Sequence, residues 1–388
     1  MLIVKLNPKE EKNIKIGFPW VYNNEVHSFI GAIENGAIVQ VNSFEDDFVA
    51  YGFLNVNSKL MIRILSLEKD EILDRHFFEK RIIYALKHRE NLGFGNAKRL
   101  IFSEADFLPG LIVDQYGDIL SIQFLSLGME KMKNMILEIL IEQLHPRGIY
   151  ERSDTKAREK EGLPEVKGIL YGQFEPRVEV IENGIRFMVD VENGQKTGYF
   201  LDQKLNRNMV QYYVQDKVVL DCFSNVGGFA LHACKYGAKH VDACDISKLA
   251  CEEIKENAKR NGFHQLDVIC TDVFDYLRNP KIMDQYEVII LDPPAFTKDK
   301  TTIKKAYRGY KEINLQAMKI IKRGGYLLTF SCSQHMTPEL FMEMLKEAAI
   351  DAKRHIQFID FRIQAPDHPA LLAGKEQLYL KCIVLRIV

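Results

Sequence analysis

Ser331-Cys332-Ser333 follows the apolar run Tyr326–Phe330, so a thiol flanked by two hydroxyls stands at the end of an expected strand. A cysteine in that setting is not placed like a core residue; it reads either as a nucleophile, since the thiolate adds readily to electron-poor carbon, or as a small residue filling the crevice floor. Earlier in the chain, Val288-Ile289-Ile290-Leu291 discharges into Asp292-Pro293-Pro294-Ala295-Phe296. Two prolines keep the chain extended past the strand and leave Asp292 facing whatever binds there. Thiol and carboxyl together suit addition to a ring carbon, with Asp292 as acid or hydrogen-bond donor to the adduct. A free thiol with a pKa of about 8.5 is only slightly ionised at neutral pH, so Cys332 needs activation. The sequence offers no neighbouring base for that task, and His335 reads as a surface residue.

The elements that carry these residues alternate strictly beyond about residue 195. Strands are expected at Val218–Asp221, Val241–Asp245, Leu266–Cys270, Val288–Leu291 and Tyr326–Phe330, with helices between them. Ile356–Ile363 and Leu378–Ile387 then read as two consecutive strands. The fold class is therefore α/β: a doubly wound, mostly parallel seven-stranded sheet with an antiparallel last strand. Ligands in such sheets bind outside the carboxyl ends of the strands. With the fourth and fifth strands as neighbours, Asp292 and Cys332 would face one crevice.

The first three strand ends describe a cofactor. Asp221-Cys222-Phe223-Ser224-Asn225-Val226-Gly227-Gly228 lets backbone approach a ligand closely, but fits neither G-x-G-x-x-G nor a P-loop. Asp245, followed by Ile246, suits the two hydroxyls of a ribose, and Asp272 is placed for an adenine edge, although it could equally cap a helix. Asp221, Phe223, Ser224, Gly227, Gly228, Asp245, Ile246, Asp272 and Asp292 together fit an adenosine cofactor without a phosphate.

Two smaller regions precede this one. Residues 1–68 read as a small β module with strands at Leu2–Leu6, Ala37–Val41, Phe48–Leu54 and Met61–Leu65. Residues 69–180 read as α+β, with a helix from Asp70 to about Gly93, a hairpin at Tyr116-Gly117-Asp118 and a helix whose Met132, Met135, Ile136 stripe is core packing. Residues 181–388 form the third region. Charge excludes a wholesale basic surface, since 52 Lys+Arg against 53 Asp+Glu leaves −1. No apolar run reaches the roughly 18 residues of a membrane span, and Lys5 interrupts any leader-like run. The seven cysteines, odd in number and without a C-x-x-C pair, argue against disulfides or a metal site and for a reducing cytoplasm.

The D-P-P-x-F segment resembles that of the class I S-adenosylmethionine-dependent methyltransferases. Further stretches resemble one branch, the bacterial 23S rRNA (cytosine-C5) methyltransferases of the RlmI type: Gly17-Phe18-Pro19-Trp20-Val21-Tyr22, Glu151-Arg152-Ser153-Asp154, Lys196-Thr197-Gly198-Tyr199-Phe200-Leu201-Asp202-Gln203, Thr329-Phe330-Ser331-Cys332-Ser333 and Asp367-His368-Pro369. The chain departs from the family at Asn225-Val226, where Tyr-Thr is common, and at Ala295, where Lys is common. The resemblance implies S-adenosylmethionine as cofactor, a PUA-like RNA-binding domain at 1–68 and a Rossmann-like methyltransferase domain at 181–388. It implies that Lys196 and Tyr199 close over the cofactor and that Cys332 is the nucleophile.

A thiol nucleophile is what methylation of a pyrimidine carbon requires, because cytosine C5 becomes enamine-like only after addition at C6. The substrate expected is 23S rRNA, as free RNA or as an assembly intermediate. Lys298, Lys300, Lys304, Lys305, Arg308 and Lys311 form the clearest basic segment, against Asp299 alone. Tyr307 and Tyr310 are interleaved and suited to stack on unpaired bases. Pro293, Pro294, Phe296, Lys304, Lys305 and Arg308 are the expected substrate contacts, and exposed strands in the first two regions are compatible with a homodimer. Two alternatives stay open: methylation of a base nitrogen with Cys332 non-catalytic, and a non-catalytic RNA-binding assembly factor.

Overall fold

Apolar alternation organises the N-terminal sheet: Val4 and Leu6, Val39 and Val41, and Ile62 all point into one core. The strands Ile3–Leu6, Trp20–Tyr22, Val26–Ile30, Ile38–Asn42, Phe48–Leu54 and Leu60–Ser66, counted in chain order, lie 2-6-5-4-1-3 across it. The second and third of these escape the sequence reading, one being three residues long and the other half-exposed without alternation. This computed structural model describes residues 1–297, 300–374 and 377–388. They divide into two compact units: Met1–Val180 with Val189–Asp202 and Pro366–Gln377, and Ile181–Met188 with Gln203–Ala365 and Leu378–Val388.

The first unit also contains the helix Arg75–Glu90, which starts where Asp74 accepts from the Phe77 amide at 3.2 Å. Its buried face, Phe77, Phe78, Ile82 and Ala85, covers a sheet of Ala97–Phe102, Leu111–Tyr116, Ile119–Phe124, Gly148–Ser153 and Val166–Gly172. The single helix expected around Met132 is two, Leu127–Lys131 and Lys133–Leu144, broken at Met132. Met132 and Met135 pack on the core as expected. The two sheets are bonded together. A Cβ on Gly128 would come within 2.1 Å of the Phe53 ring, and Arg63 of the N-terminal sheet pairs with Glu104 at 2.6 Å and Glu161 at 2.9 Å.

The second unit is the expected seven-stranded sheet. Val218–Cys222, His240–Asp245, Leu266–Cys270, Val288–Leu291, Tyr326–Ser331, Ile356–Arg362 and Lys381–Ile387, counted in chain order, lie 3-2-1-4-5-7-6. The first five are parallel, and Lys381–Ile387 is antiparallel to both neighbours. That strand begins at Lys381, three residues later than the sequence suggests. Because the strands are covered on both faces, Val288–Leu291 is buried throughout. One layer packs around Ile289, Tyr310 and Phe341, the other around Val219, Phe229 and Ile254. Among the described residues no helix is long and apolar enough to cross a membrane.

Candidate active site

The first strand leaves the sheet at Cys222, and the chain must turn at once into the helix Gly228–Lys235. It does so through three left-handed residues, Phe223 (φ 61°), Asn225 (φ 53°) and Gly227 (φ 88°). Two of them are not glycine, the kind of backbone strain that functional loops store. Asp221 anchors the turn from below. Its Oδ2 accepts from Ser224 Oγ at 2.5 Å and from the Ala230 amide at 3.0 Å. Its Oδ1 is buried and has no partner. Burial above all, with the like charges of Asp292 and Asp245, pushes Asp221 up to about 7.

Asp245 serves the same turn, accepting from the Asn225 amide at 2.9 Å and the Ser247 amide at 2.9 Å. Carboxylate oxygens carry two lone pairs each, so capacity for a ribose remains. Ile246 beside it is exposed. Asp272 caps the helix Val273–Leu277 through the Phe274 amide at 2.7 Å, the capping role that its position also allows. The structure thus brings Asp221, Phe223, Ser224, Gly227, Gly228, Asp245 and Asp272 to neighbouring carboxyl ends of one sheet. Lys196 and Tyr199 belong to the other unit, where the Lys196 ammonium meets Asp202 at 2.7 Å and Tyr199 is buried under Tyr116.

Asp292 and Cys332 end adjacent parallel strands, with Leu291 paired to Thr329. The Gln203 side chain donates to Asp292 Oδ1 at 3.0 Å, and Asn206 donates to Gln203 at 2.8 Å. No pattern in the sequence links Gln203 to Asp292 across this relay. Cys332 is half-buried between the buried Ser331 and Ser333. Pro293 is buried and Pro294 exposed. The Phe296 ring lies 4.6 Å from Tyr310 and 6.0 Å from Phe274, an aromatic floor that a Cβ on Gly309 would crowd.

The basic segment is smaller than the sequence suggests. Lys304, Lys305 and Arg308 are exposed on the helix Ile303–Ile320. Lys311 is neutralised by Glu347 at 3.0 Å and Asp351 at 2.9 Å. Tyr310 is wholly buried with its hydroxyl 2.9 Å from Ser333 Oγ, so it belongs to the core and cannot stack on a base. Lys298, Asp299 and the Lys300 side chain lie outside what the structure describes. In the first unit, a cavity of about 250 Å³ is lined by Ile14, Phe18, Arg81 and Phe107. The Arg81 guanidinium lies 5.2 Å from the exposed Phe107 ring, a platform that no sequence pattern announced.

Three converging carboxylates, one holding an unpartnered buried oxygen, form a site that a cationic ligand would relieve. An adenosine carrying a sulfonium and an amino group fits that donor set, with Asp245 toward the ribose and Asp221 toward the cationic end. Strand order and strand-end crevice define the class as a Rossmann-like class I methyltransferase fold. The description of the S-adenosylmethionine-dependent methyltransferases matches residues 167–381, and that of PUA-like domains matches residues 4–67. The ribosomal RNA large subunit methyltransferase I of Shewanella amazonensis is 40% identical over 99% of this chain and 99% of its own length. That of Aliivibrio fischeri is 40% identical over 97% of each. A solved Streptococcus mutans protein described as a SAM-dependent methyltransferase shares the fold at a TM-score of 0.84, with 22% identity and 100% of both chains covered. The chain belongs to the S-adenosylmethionine-dependent methyltransferase family.

Proposed function

We propose that this chain methylates C5 of a specific cytosine in large-subunit (23S) ribosomal RNA, with Cys332 as covalent nucleophile. The observation that carries the reading is a half-buried thiol between two buried serines, at the strand end beside Asp292. Full-length likeness to two proteins named ribosomal RNA large subunit methyltransferase I supports ribosomal RNA as the substrate. Cys332 adds to C6, forming a C–S bond and making C5 electron-rich. Asp292, fixed by Gln203, holds the N3 edge of the adduct through a hydrogen bond. S-adenosylmethionine, when bound, supplies the electrophilic methyl. Loss of the C5 proton then restores the ring and expels the thiolate.

The labour divides along the chain in this reading. Residues 1–68 hold RNA, with the Phe18, Arg81 and Phe107 platform as a contact on the edge of that module. Residues 69–180 support them, and residues 181–388 do the chemistry in the cytoplasm. Pro293, Pro294, Phe296, Lys304, Lys305 and Arg308 meet the substrate, and Asp221 and Asp245 meet the cofactor. The target base must leave its stack to reach a thiol at the crevice, so an unpaired cytosine is the natural substrate.

Mass spectrometry of nucleosides from unmodified ribosomal RNA, treated with enzyme and S-adenosylmethionine, tests this. Wild type should yield 5-methylcytidine and Cys332→Ala none. A methylated purine, formed equally by both, would sink the proposal.

A further inference from the structure

Lys381 is 2% exposed, an unusual place for an ammonium. It opens the last strand, paired in register with Ser331, and reaches across the end of its neighbour. Its Nζ donates to the Ser333 carbonyl at 2.7 Å and to the Tyr379 carbonyl at 2.7 Å. An ammonium has three protons, so one remains. Carbonyls satisfy donors but do not neutralise charge, and a buried charge is ordinarily paired. Among the described residues no carboxylate bears on Lys381; the one ionisable group that does is Cys332.

We infer that Lys381 is the positioning residue that activates Cys332: its buried ammonium, held by two carbonyls, is the counter-charge of the thiolate. This rests on the reading of Cys332 as nucleophile and supplies the activating group that the sequence lacks. The proton balance is simple. As sulfur attacks C6, the S–H bond is already broken and its proton resides on Nζ; when the thiolate is expelled, that proton is available to return. The C5 proton leaves to solvent water, so one proton is released per methyl transferred. Burial draws Lys381 down to about 8, into the range of a thiol, so one proton can be shared between the two. Tyr310, on the helix Ile303–Ile320, bears on Cys332 but is raised by burial and stays neutral. Asp292, Asp360 and Arg362 bear on the adjacent Cys382, itself raised by burial.

The test is the pH profile of Cys332 alkylation by iodoacetamide in the intact protein, read peptide by peptide so that the exposed Cys270 is scored separately. Wild type should show a midpoint below the free-thiol value of about 8.5. Lys381→Met should raise it by at least a unit, a roughly tenfold loss of rate at pH 7. Lys381→Arg, which keeps the charge, should stay low. A wild-type midpoint at or above the free-thiol value, or an unchanged one in Lys381→Met, overturns the inference. Should Lys381→Met fail to fold, the wild-type and Lys381→Arg midpoints decide. Failure of the parent reading looks different: Cys332→Ala would still form product, whatever the alkylation profile.

Discussion

Asp221 and His232 are both wholly buried and both displaced from their ordinary pKa, with opposite consequences. Asp221 sits near 7 with an unpartnered oxygen, so at neutral pH it is part protonated. A cationic ligand selects the carboxylate, and below pH 7 binding must first expel a proton. S-adenosylhomocysteine, which keeps the ammonium, should therefore bind more tightly as pH rises from 6 to 8, by up to about tenfold per unit below the pKa. Calorimetric titration of Asp221→Asn should give weaker binding with that slope gone; a flat wild-type profile would remove Asp221 from the cofactor's cationic end. His232 makes the reverse case. Its Nδ1 donates to the Gly228 carbonyl at 2.7 Å, so Nε2 accepts from Asn183 at 2.9 Å and the ring is neutral. Burial lowers it to about 4 against an ordinary 6.5. Between those values the unfolded chain binds more protons than the native one, so stability falls as pH falls. Urea midpoints should show this group costing on the order of 1.4 kcal/mol per unit between pH 6.5 and 4. His232→Gln, though less stable at pH 7.5, should lose less over that window.

At the scale of elements, the helix Ile303–Ile320 shows how one sequence pattern splits between core and surface. Its buried stripe of Ala306, Tyr310, Ile313 and Ala317 turns Lys304, Lys305 and Arg308 outward. Each phosphate neutralised by such a group releases counterions and adds about 0.7 to 0.9 to the salt slope of RNA binding. Replacing all three by alanine should lower that slope by about 2 to 3 in filter-binding titrations. Lys311→Ala should not change it, because Lys311 already faces Glu347 and Asp351. Equal effects from both would mean that general charge, not this face, holds the RNA. The alternating sheet was legible in the sequence because each parallel strand is a short apolar run between amphipathic helices. Tyr310 was misread because position in a basic run says nothing about which side of the helix a ring takes. Lys381 was invisible for a different reason: its neighbour Ser331 is given by strand register, not by proximity in the chain. The Gln203 contact with Asp292 likewise joins residues far apart in sequence.

For the molecule as a whole, the first compact unit is tied together by charge as well as by packing, and its single tryptophan reports on the tie. The Trp20 indole donates to Glu104 Oε1 at 2.9 Å, the same oxygen that Arg63 reaches at 2.6 Å. Arg63 also pairs with Glu161 through Nη2 at 2.9 Å, and both carboxylates are nearly fully buried. One cation from the N-terminal sheet therefore neutralises two acids from the following region. Removing it leaves two buried negative charges facing each other, and breaking a buried pair in this way costs about 3 to 5 kcal/mol. Arg63→Met should shift the Trp20 fluorescence transition in guanidinium by that amount. Adding Glu104→Gln and Glu161→Gln should return much of the loss, since the penalty lies in the orphaned charges rather than in the absent bond. A shift of under about 1 kcal/mol in Arg63→Met, the size of an exposed ion pair, would mean that apolar contacts such as Phe53 on Gly128 carry the junction without help.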